Sequence, residues 1–307
     1  MTHRMMSAAA DVVRPPHHQQ LRFVSFEITG RCQLECVHCY ADRGPSGTHG
    51  RMTTLDWTRL IDEVYDMGVS MVQFIGGEPT LHNDLPDMIE HALARHLAVE
   101  VYTNLVHVTP KLWEVFARPG VRLATSWYSD NAKEHAAVTR RSSHSPTRAN
   151  IAEAVRRSIP IRVGLVGVLK DQRVAKARQV LVDLGVEDIG YDDLRHVGRG
   201  AGQPNPDISQ LCGHCAQGKL AIGSSGAVWP CVFSRWLPVG NVLVEPLSAI
   251  LRGSRYLSVV AELDATLTTK LPCVPDMCDP QCGPSCSPAC PPSNNCRPVG
   301  ACVPWYR

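Results

Sequence analysis

From Leu21 onward the chain switches repeatedly between two hydrophobic rhythms. Leu21–Thr29 (LRFVSFEIT) alternates and is rich in β-favouring residues, which predicts a strand. Thr54 reads as the N-cap of a helix running to about Met67, and Met71–Ile75 as a short buried strand. The alternation goes on. Helices are expected over Asp84–His96, Pro110–Ala117, Thr147–Ser158 and Val174–Leu184. Strands are expected over Ala98–Tyr102, Val121–Trp127, Pro160–Leu169 and Asp188–Leu194. Strands that alternate with helices pair in parallel, because parallel neighbours need crossover connections. Six units fall short of a closed eight-unit barrel, so the expected fold class is α/β, an open or partial (β/α)6 barrel.

The rhythm breaks at GRGAGQPNPD (198–207), a Gly/Pro/Asn stretch that marks a boundary. The expected organisation is a mobile leader over 1–20, the partial barrel over 21–197, a linker over 198–210 and a small, irregular, cysteine-rich domain over 211–307. Between the last strand and the C-terminus only Leu220–Ile222 and Ala227–Trp229 read as strands. They flank a Ser-Gly turn, a hairpin that would carry Cys231 back toward Cys215. A segment this poor in apolar periodicity needs metal or disulfide staples.

Composition changes the picture at one point. Of 307 residues, 44% are hydrophobic and 20% charged, as in a soluble globular protein, and a formal charge of +2 argues against nucleic-acid or anionic-membrane partners. The thirteen cysteines are the anomaly: three lie between Cys32 and Cys39, and ten between Cys212 and Cys302. The leader lacks the apolar centre of a secretory signal, and no apolar run approaches a membrane span, so a cytoplasmic location is expected. There thiols stay reduced, and dense cysteines are ligands before they are bridges.

Cys32, Cys36 and Cys39 form C-x3-C-x2-C directly after the first strand, with Tyr40 next. A [4Fe–4S] cube takes four thiolates, so three in one loop leave an iron open, and an open position separates reactive metal sites from closed ones. The competing reading is zinc held with His38, which would have to fold back sharply on its neighbour Cys39. The motif CQLECVHC resembles the signature of the radical S-adenosylmethionine (SAM) superfamily. The resemblance implies that SAM occupies the open iron and that one electron splits it to methionine and a 5′-deoxyadenosyl radical, which takes a hydrogen from the substrate. The division of labour is familiar: the cofactor does the radical chemistry while the protein orients and shields it. It also implies that Gly76, Gly77 and Glu78 of the GGEP turn hold the SAM amino group. Asn104, in a TN element where Leu105 replaces the usual glycine, and Ser126, in SWYSD, would make further SAM contacts. Arg140, after Glu134-His135, would reach the SAM carboxylate. Gly198-Arg199-Gly200 resembles the family's exit from the sixth strand.

Downstream, Cys212-x2-Cys215, the hairpin with Gly226, Cys231 and the segment GNVLVEPLSAIL resemble SPASM domains, which carry auxiliary clusters. Cys273, Cys278, Cys282, Cys286, Cys290, Cys296 and Cys302 depart from the usual SPASM spacing. Ten cysteines suffice for two clusters, and how the downstream set divides between them stays open. A first auxiliary cluster on Cys212, Cys215, Cys231 and one downstream cysteine is preferred. Such a cluster would accept an electron from the substrate radical, or ligate or steer the substrate. The function implied is oxidative modification or cross-linking of a peptide in natural-product maturation. The alternatives are dehydrogenation or decarboxylation of a small sugar, aminocyclitol or nucleoside, or a non-catalytic electron carrier or zinc-stabilised module. The expected partners are the substrate, an electron donor such as flavodoxin or ferredoxin, and a separate peptide-recognition protein, since about twenty residues before the first strand are too few for a leader-binding domain.

Overall fold

The computed structural model describes residues 20–202, 207–211 and 213–267. Six parallel strands come first: β1 (Phe23–Thr29), β2 (Met71–Gly76), β3 (Ala98–Tyr102), β4 (Val121–Trp127), β5 (Ile161–Gly167) and β6 (Asp188–Asp193). Helices α1 (Thr54–Asp66), α2 (Leu85–Ala94), α3 (Pro110–Phe116), α4 (Ala132–Thr139), α5 (His144–Arg156) and α6 (Val174–Asp183) connect them. The sheet continues into β7 (Lys219–Gly223), β8 (Ala227–Trp229) and β9 (Gly240–Asn241), in the order β6-β5-β4-β3-β2-β1-β7-β8-β9. It is open, as six units require. Two short helices, α7 (Leu247–Arg252) and α8 (Ser254–Leu267), follow.

Strand alternation sorts the side chains. Val24, Phe26 and Ile28 of β1, Val72 and Phe74 of β2 and Val99 and Val101 of β3 are fully buried beneath the helices. Phe26 meets the α1 residue Trp57 edge-on at 5.6 Å between ring centroids. The opposite face is polar and equally buried. Ser25 donates to Gln73 (2.9 Å), Gln73 to Glu100 (2.6 Å), and Arg162 grips Glu100 with two bonds of 2.8 and 2.9 Å. Burial alone would raise the Glu100 carboxyl; Arg162 and Arg122 hold it down to about 2. A charge cluster of this kind is satisfied only when all its members are present.

Three local features differ from the sequence reading. The N-cap of α1 is Thr53, not Thr54: the Thr53 hydroxyl accepts from the Asp56 N–H while Asp56 accepts from the Thr53 N–H, a capping box that starts the helix at Thr54. Helix α4 was not anticipated; Asn131 caps it by accepting from the Lys133 and Glu134 N–H groups. The stretch 247–267, expected to be irregular, is helical. Tyr256, Val259 and Leu263 of α8 are buried at helical spacing.

The hairpin is where it was expected, but it is not a separate layer. Strand β7 pairs in parallel with β1 from Phe23↔Lys219 to Glu27↔Gly223, so the region after the Gly/Pro stretch extends the same sheet. Arg59 of α1 donates to the Val242 carbonyl (3.0 Å), and Glu63 accepts from the Ser248 N–H (3.0 Å), fastening α7 to α1.

Candidate functional site

The carboxyl end of β1 leads straight into the cysteine loop, and four segments hold that loop. Gly77 donates to the Thr29 carbonyl and Glu78 to the Arg31 carbonyl, each at 2.8 Å. A Cβ on Gly77 would lie 2.3 Å from the Arg31 oxygen, and one on Gly76 2.4 Å from the Thr29 oxygen. The glycines therefore let the β2 turn press against the backbone that carries Cys32. From the other side, Glu35 donates to the Thr139 carbonyl (3.1 Å) and Val37 to that of Val138 (2.9 Å), tying the loop to the end of α4.

Arg199 holds the loop from above. Its guanidinium donates to the Cys36 carbonyl (2.9 Å), the Arg43 carbonyl (2.7 Å) and Asp42 (2.8 Å), and its backbone N–H to the Cys39 carbonyl (3.0 Å). Gly198, at φ +56°, gives the backbone the left-handed turn this clamp needs, and a Cβ there would meet the Tyr40 oxygen at 2.3 Å. Residues 198–202 thus belong to the site as much as to a connection.

Glu78 is fully buried. One carboxylate oxygen accepts from the Thr103 hydroxyl (2.6 Å), the Thr80 hydroxyl (2.7 Å) and the Thr80 N–H (3.0 Å); the other accepts from the Asn104 N–H (2.7 Å). Burial pushes its carboxyl up in spite of these donors. Its bonds run to its own turn and to the TN segment, so in the structure Glu78 positions Asn104. Asn104 exchanges hydrogen bonds with Gln33 (3.1 and 3.2 Å) and lies 3.8 Å from the Cys32 sulfur.

Leu105 shows what the usual glycine does at this place. Its φ is +53° and its side chain is fully buried. The left-handed backbone costs about 1–2 kcal/mol in a residue with a Cβ, whereas deleting a buried leucine side chain costs about 3–5 kcal/mol. Leu105→Gly is therefore expected to destabilise the protein by about 2–3 kcal/mol despite the relief of strain. A urea melt checks this, and an increase in stability would show that backbone strain outweighs the packing of the side chain.

Cys32, Cys36 and Cys39 are all free thiols. The Leu34 N–H points at the Cys32 sulfur (3.4 Å) and the Arg43 N–H at that of Cys39 (3.3 Å), an arrangement that favours thiolates. Burial, with like charge nearby, pushes the Cys32 and Cys36 thiols up to about 12. Only a bound cation would make such a set of thiolates stable. Among the described residues no three ligating side chains converge on a single ion. Burial holds His38 down to about 4, so it stays neutral, its ring edge-on to Tyr128 at 5.1 Å.

The other expected contacts divide. Ser126 lies on the inner face of β4 with its hydroxyl 2.9 Å from that of Tyr102. His135 is buried against Trp127 (4.9 Å) and Tyr128 (5.3 Å) and is held neutral by burial, so it braces α4 against β4. Arg140 is exposed and caps α4 at φ +60°. It is the neighbouring carbonyls of Val138 and Thr139 that the structure ties to the cysteine loop. In the second region the hairpin brings Cys231 to within 2.9 Å of Cys215, sulfur to sulfur. Cys212, Cys273, Cys278, Cys282, Cys286, Cys290, Cys296 and Cys302 lie outside the described residues, as does the expected leader up to residue 19.

Several residues that line the inner face escaped the sequence reading. Glu27 of β1 is 1% exposed and is paired with Arg235, which follows Cys231, and with Arg43 of the cysteine loop at 3.9 Å. Tyr40 packs edge-on against Phe233 at 5.1 Å. An acid in the middle of an apolar strand was a visible signal for Glu27; nothing in the local sequence marks Arg235 as its partner.

An open sheet of parallel strands, with a three-thiol loop at the carboxyl end of its first strand and a glycine turn pressed against it, defines a metallocofactor enzyme of the partial-barrel class. The profile of the Radical SAM superfamily matches residues 26–180, half of the chain, and the chain belongs to that superfamily. An iron–sulfur cluster-binding domain profile, SPASM, matches 212–290. Over 107 residues the chain is 35% identical to the mycofactocin maturase MftC of Mycobacterium tuberculosis, a match that covers 35% of this chain and 25% of that protein. Over 83 residues it is 39% identical to the PqqA peptide cyclase of Xanthomonas euvesicatoria, covering 27% and 21% respectively. The matched segments thus span a quarter or less of these relatives' lengths. In fold it is similar to Streptococcus suis SuiB bound to S-adenosylmethionine, with a TM-score of 0.66 at 14% identity, covering 79% of this chain and 68% of that one.

Proposed function

We propose that this chain is a radical SAM maturase that oxidatively modifies or cross-links a peptide. The observation that carries the reading is the loop of three free thiols locked by Gly77, Glu78, Asn104 and Arg199. The group it fits is a [4Fe–4S] cluster with one iron left for SAM, and that pair supplies a 5′-deoxyadenosyl radical able to take a hydrogen from an unactivated carbon. The protein's own part is to hold and exclude. Cys32, Cys36 and Cys39 hold the irons. The backbone at Gly76 and Gly77, with Asn104 and Ser126, lines the place where SAM would lie. The helices cover the outer face of the sheet and leave the inner one for the ligands. Cys215 and Cys231 provide one half of an auxiliary centre completed by Cys212 and a downstream cysteine. Peptide substrates are favoured because the relatives with sequence likeness include a peptide cyclase and a maturase. A one-electron donor of the flavodoxin or ferredoxin type would feed the cluster. Among the described residues no helix is long and apolar enough to cross a membrane.

The test is anaerobic reconstitution with iron and sulfide, followed by SAM and a strong reductant. Formation of 5′-deoxyadenosine is expected, together with the loss of hydrogens from a co-expressed small peptide, seen by mass spectrometry. Zinc without labile sulfide in the purified protein, or no 5′-deoxyadenosine, would refute the reading.

A further inference from the structure

Three buried polar atoms lie together on the inner face, at the end of β1, with no hydrogen-bond partner among the described residues: Glu27 Oε1, Tyr40 Oη and Arg43 Nε. A buried polar atom left unpaired is costly, and native interiors keep few of them. Their neighbours fix the chemistry. The second oxygen of Glu27 is shared by Arg43 and Arg235, and the Arg235 guanidinium lies over the Trp229 ring at 4.4 Å. Among these side chains one carboxylate faces two guanidinium groups, so the cationic groups outnumber the carboxylate. Arg195, the next cation along, stacks on Phe233 at 5.1 Å and is neutralised by Asp192.

We infer that Glu27, Tyr40, Arg43 and Arg235 form a substrate subsite that takes a carboxylate. The Tyr40 hydroxyl and Arg43 Nε are the donors that such a group accepts from, and the more numerous cationic groups favour an anion over a neutral amide. Glu27 Oε1 offers an acceptor for an N–H beside the carboxylate, as in an amino-acid residue. The inference rests on the peptide-modifying reading, and it names the substrate feature that site would read. The subsite is composite. Glu27 comes from β1, Tyr40 and Arg43 from the cysteine loop, and Arg235 from the turn after Cys231, so the substrate would be gripped where the two halves of the chain meet. Three sources can supply the carboxylate: a peptide C-terminus, an acidic side chain, or the methionyl end of SAM itself.

Saturation-transfer NMR on the reconstituted holoenzyme with SAM bound separates them. The probes are N-acetylglycine, N-acetylaspartic acid α-amide and, as the neutral control, N-acetylglycinamide. At least one acid is expected to bind about tenfold more tightly than the neutral amide, the usual scale of a charge-assisted contact; the stronger acid identifies a C-terminal or a side-chain source. Arg43→Gln removes a guanidinium group and should weaken acid binding about tenfold. Glu27→Gln keeps an acceptor oxygen but adds a net positive charge, and should strengthen acid binding several-fold. Opposite signs from two neighbouring positions are not what loss of folding produces. Equal or absent binding of acids and amide, the same direction of change in both variants, or displacement of SAM by the acids would overturn the proposal. Formation of 5′-deoxyadenosine is measured independently, so failure of the subsite and failure of the radical SAM reading are distinguishable.

Discussion

Replacing Cys36 with alanine is expected to abolish SAM cleavage while leaving the fold in place. Cys36 lies between the other two thiols of the loop, and its carbonyl is held by Arg199 at 2.9 Å. Removing it leaves two ligands where the reactive cube needs three. Changes one shell away from a metal cost about 10–100-fold, so loss of a ligand should lower 5′-deoxyadenosine formation by about a thousandfold or more. The loop's other anchors do not pass through the Cys36 side chain, so the melting temperature of the iron-free protein should hardly move. The same chemistry predicts a pH dependence for cluster assembly. In the iron-free protein the Cys32 and Cys36 thiols are pushed up to about 12, so at neutral pH both are protonated. Iron binds the thiolates, and each thiolate formed releases a proton. Raising the pH toward 12 therefore favours loading, by at least about a hundredfold per pH unit from the protons of these two thiols. Competition for iron against a chelator at pH 7 and pH 8 measures this directly, and a flat profile would show that the thiols are not the groups being titrated.

The parallel core was legible because hydrophobic alternation is a local signal. Ala98–Tyr102 and Val121–Trp127 were bounded to the residue, and β1, β2, β5 and β6 within a few. The cysteine loop and the GGEP turn were legible because both are contiguous motifs. What the sequence did not reveal are partnerships between distant segments. Arg199 was visible only as part of a glycine-containing turn, yet it closes over Cys36, Asp42 and Arg43 some 156–163 residues away. Arg235 meets Glu27 across 208 residues. Glu78 was legible as important through its motif, while its hydrogen bonds to Thr80, Thr103 and Asn104 became visible only in the structure. Helix α4 was missed because its apolar face is short, with His135 and Val138 as its main buried positions beside Thr139. The hairpin was found, but its parallel pairing with β1 is a tertiary choice that no short-range pattern carries.

Glu78 therefore makes a sharp test of positioning against simple stability. Glu78→Ala strips four donors of their shared acceptor, among them the Asn104 N–H and the buried Thr103 hydroxyl. Unsatisfied buried groups cost about 1–3 kcal/mol each, and with some relaxation the variant should lose about 3–5 kcal/mol of stability. Glu78→Gln is nearly isosteric and separates the two roles. Its amide oxygen can keep the three donors from Thr80 and Thr103, but its NH2 then faces the Asn104 N–H, donor against donor. Stability should fall by only about 1–2 kcal/mol, while Asn104, displaced from the Cys32–Gln33 segment, no longer supports the SAM side of the loop. SAM affinity and 5′-deoxyadenosine formation should then drop about tenfold or more in a protein that still melts cooperatively. A glutamine variant that keeps full activity would mean that the position of Asn104 does not depend on the negative charge at residue 78. In that case the GGEP turn would act through its glycines alone, by letting β2 approach the Arg31 carbonyl.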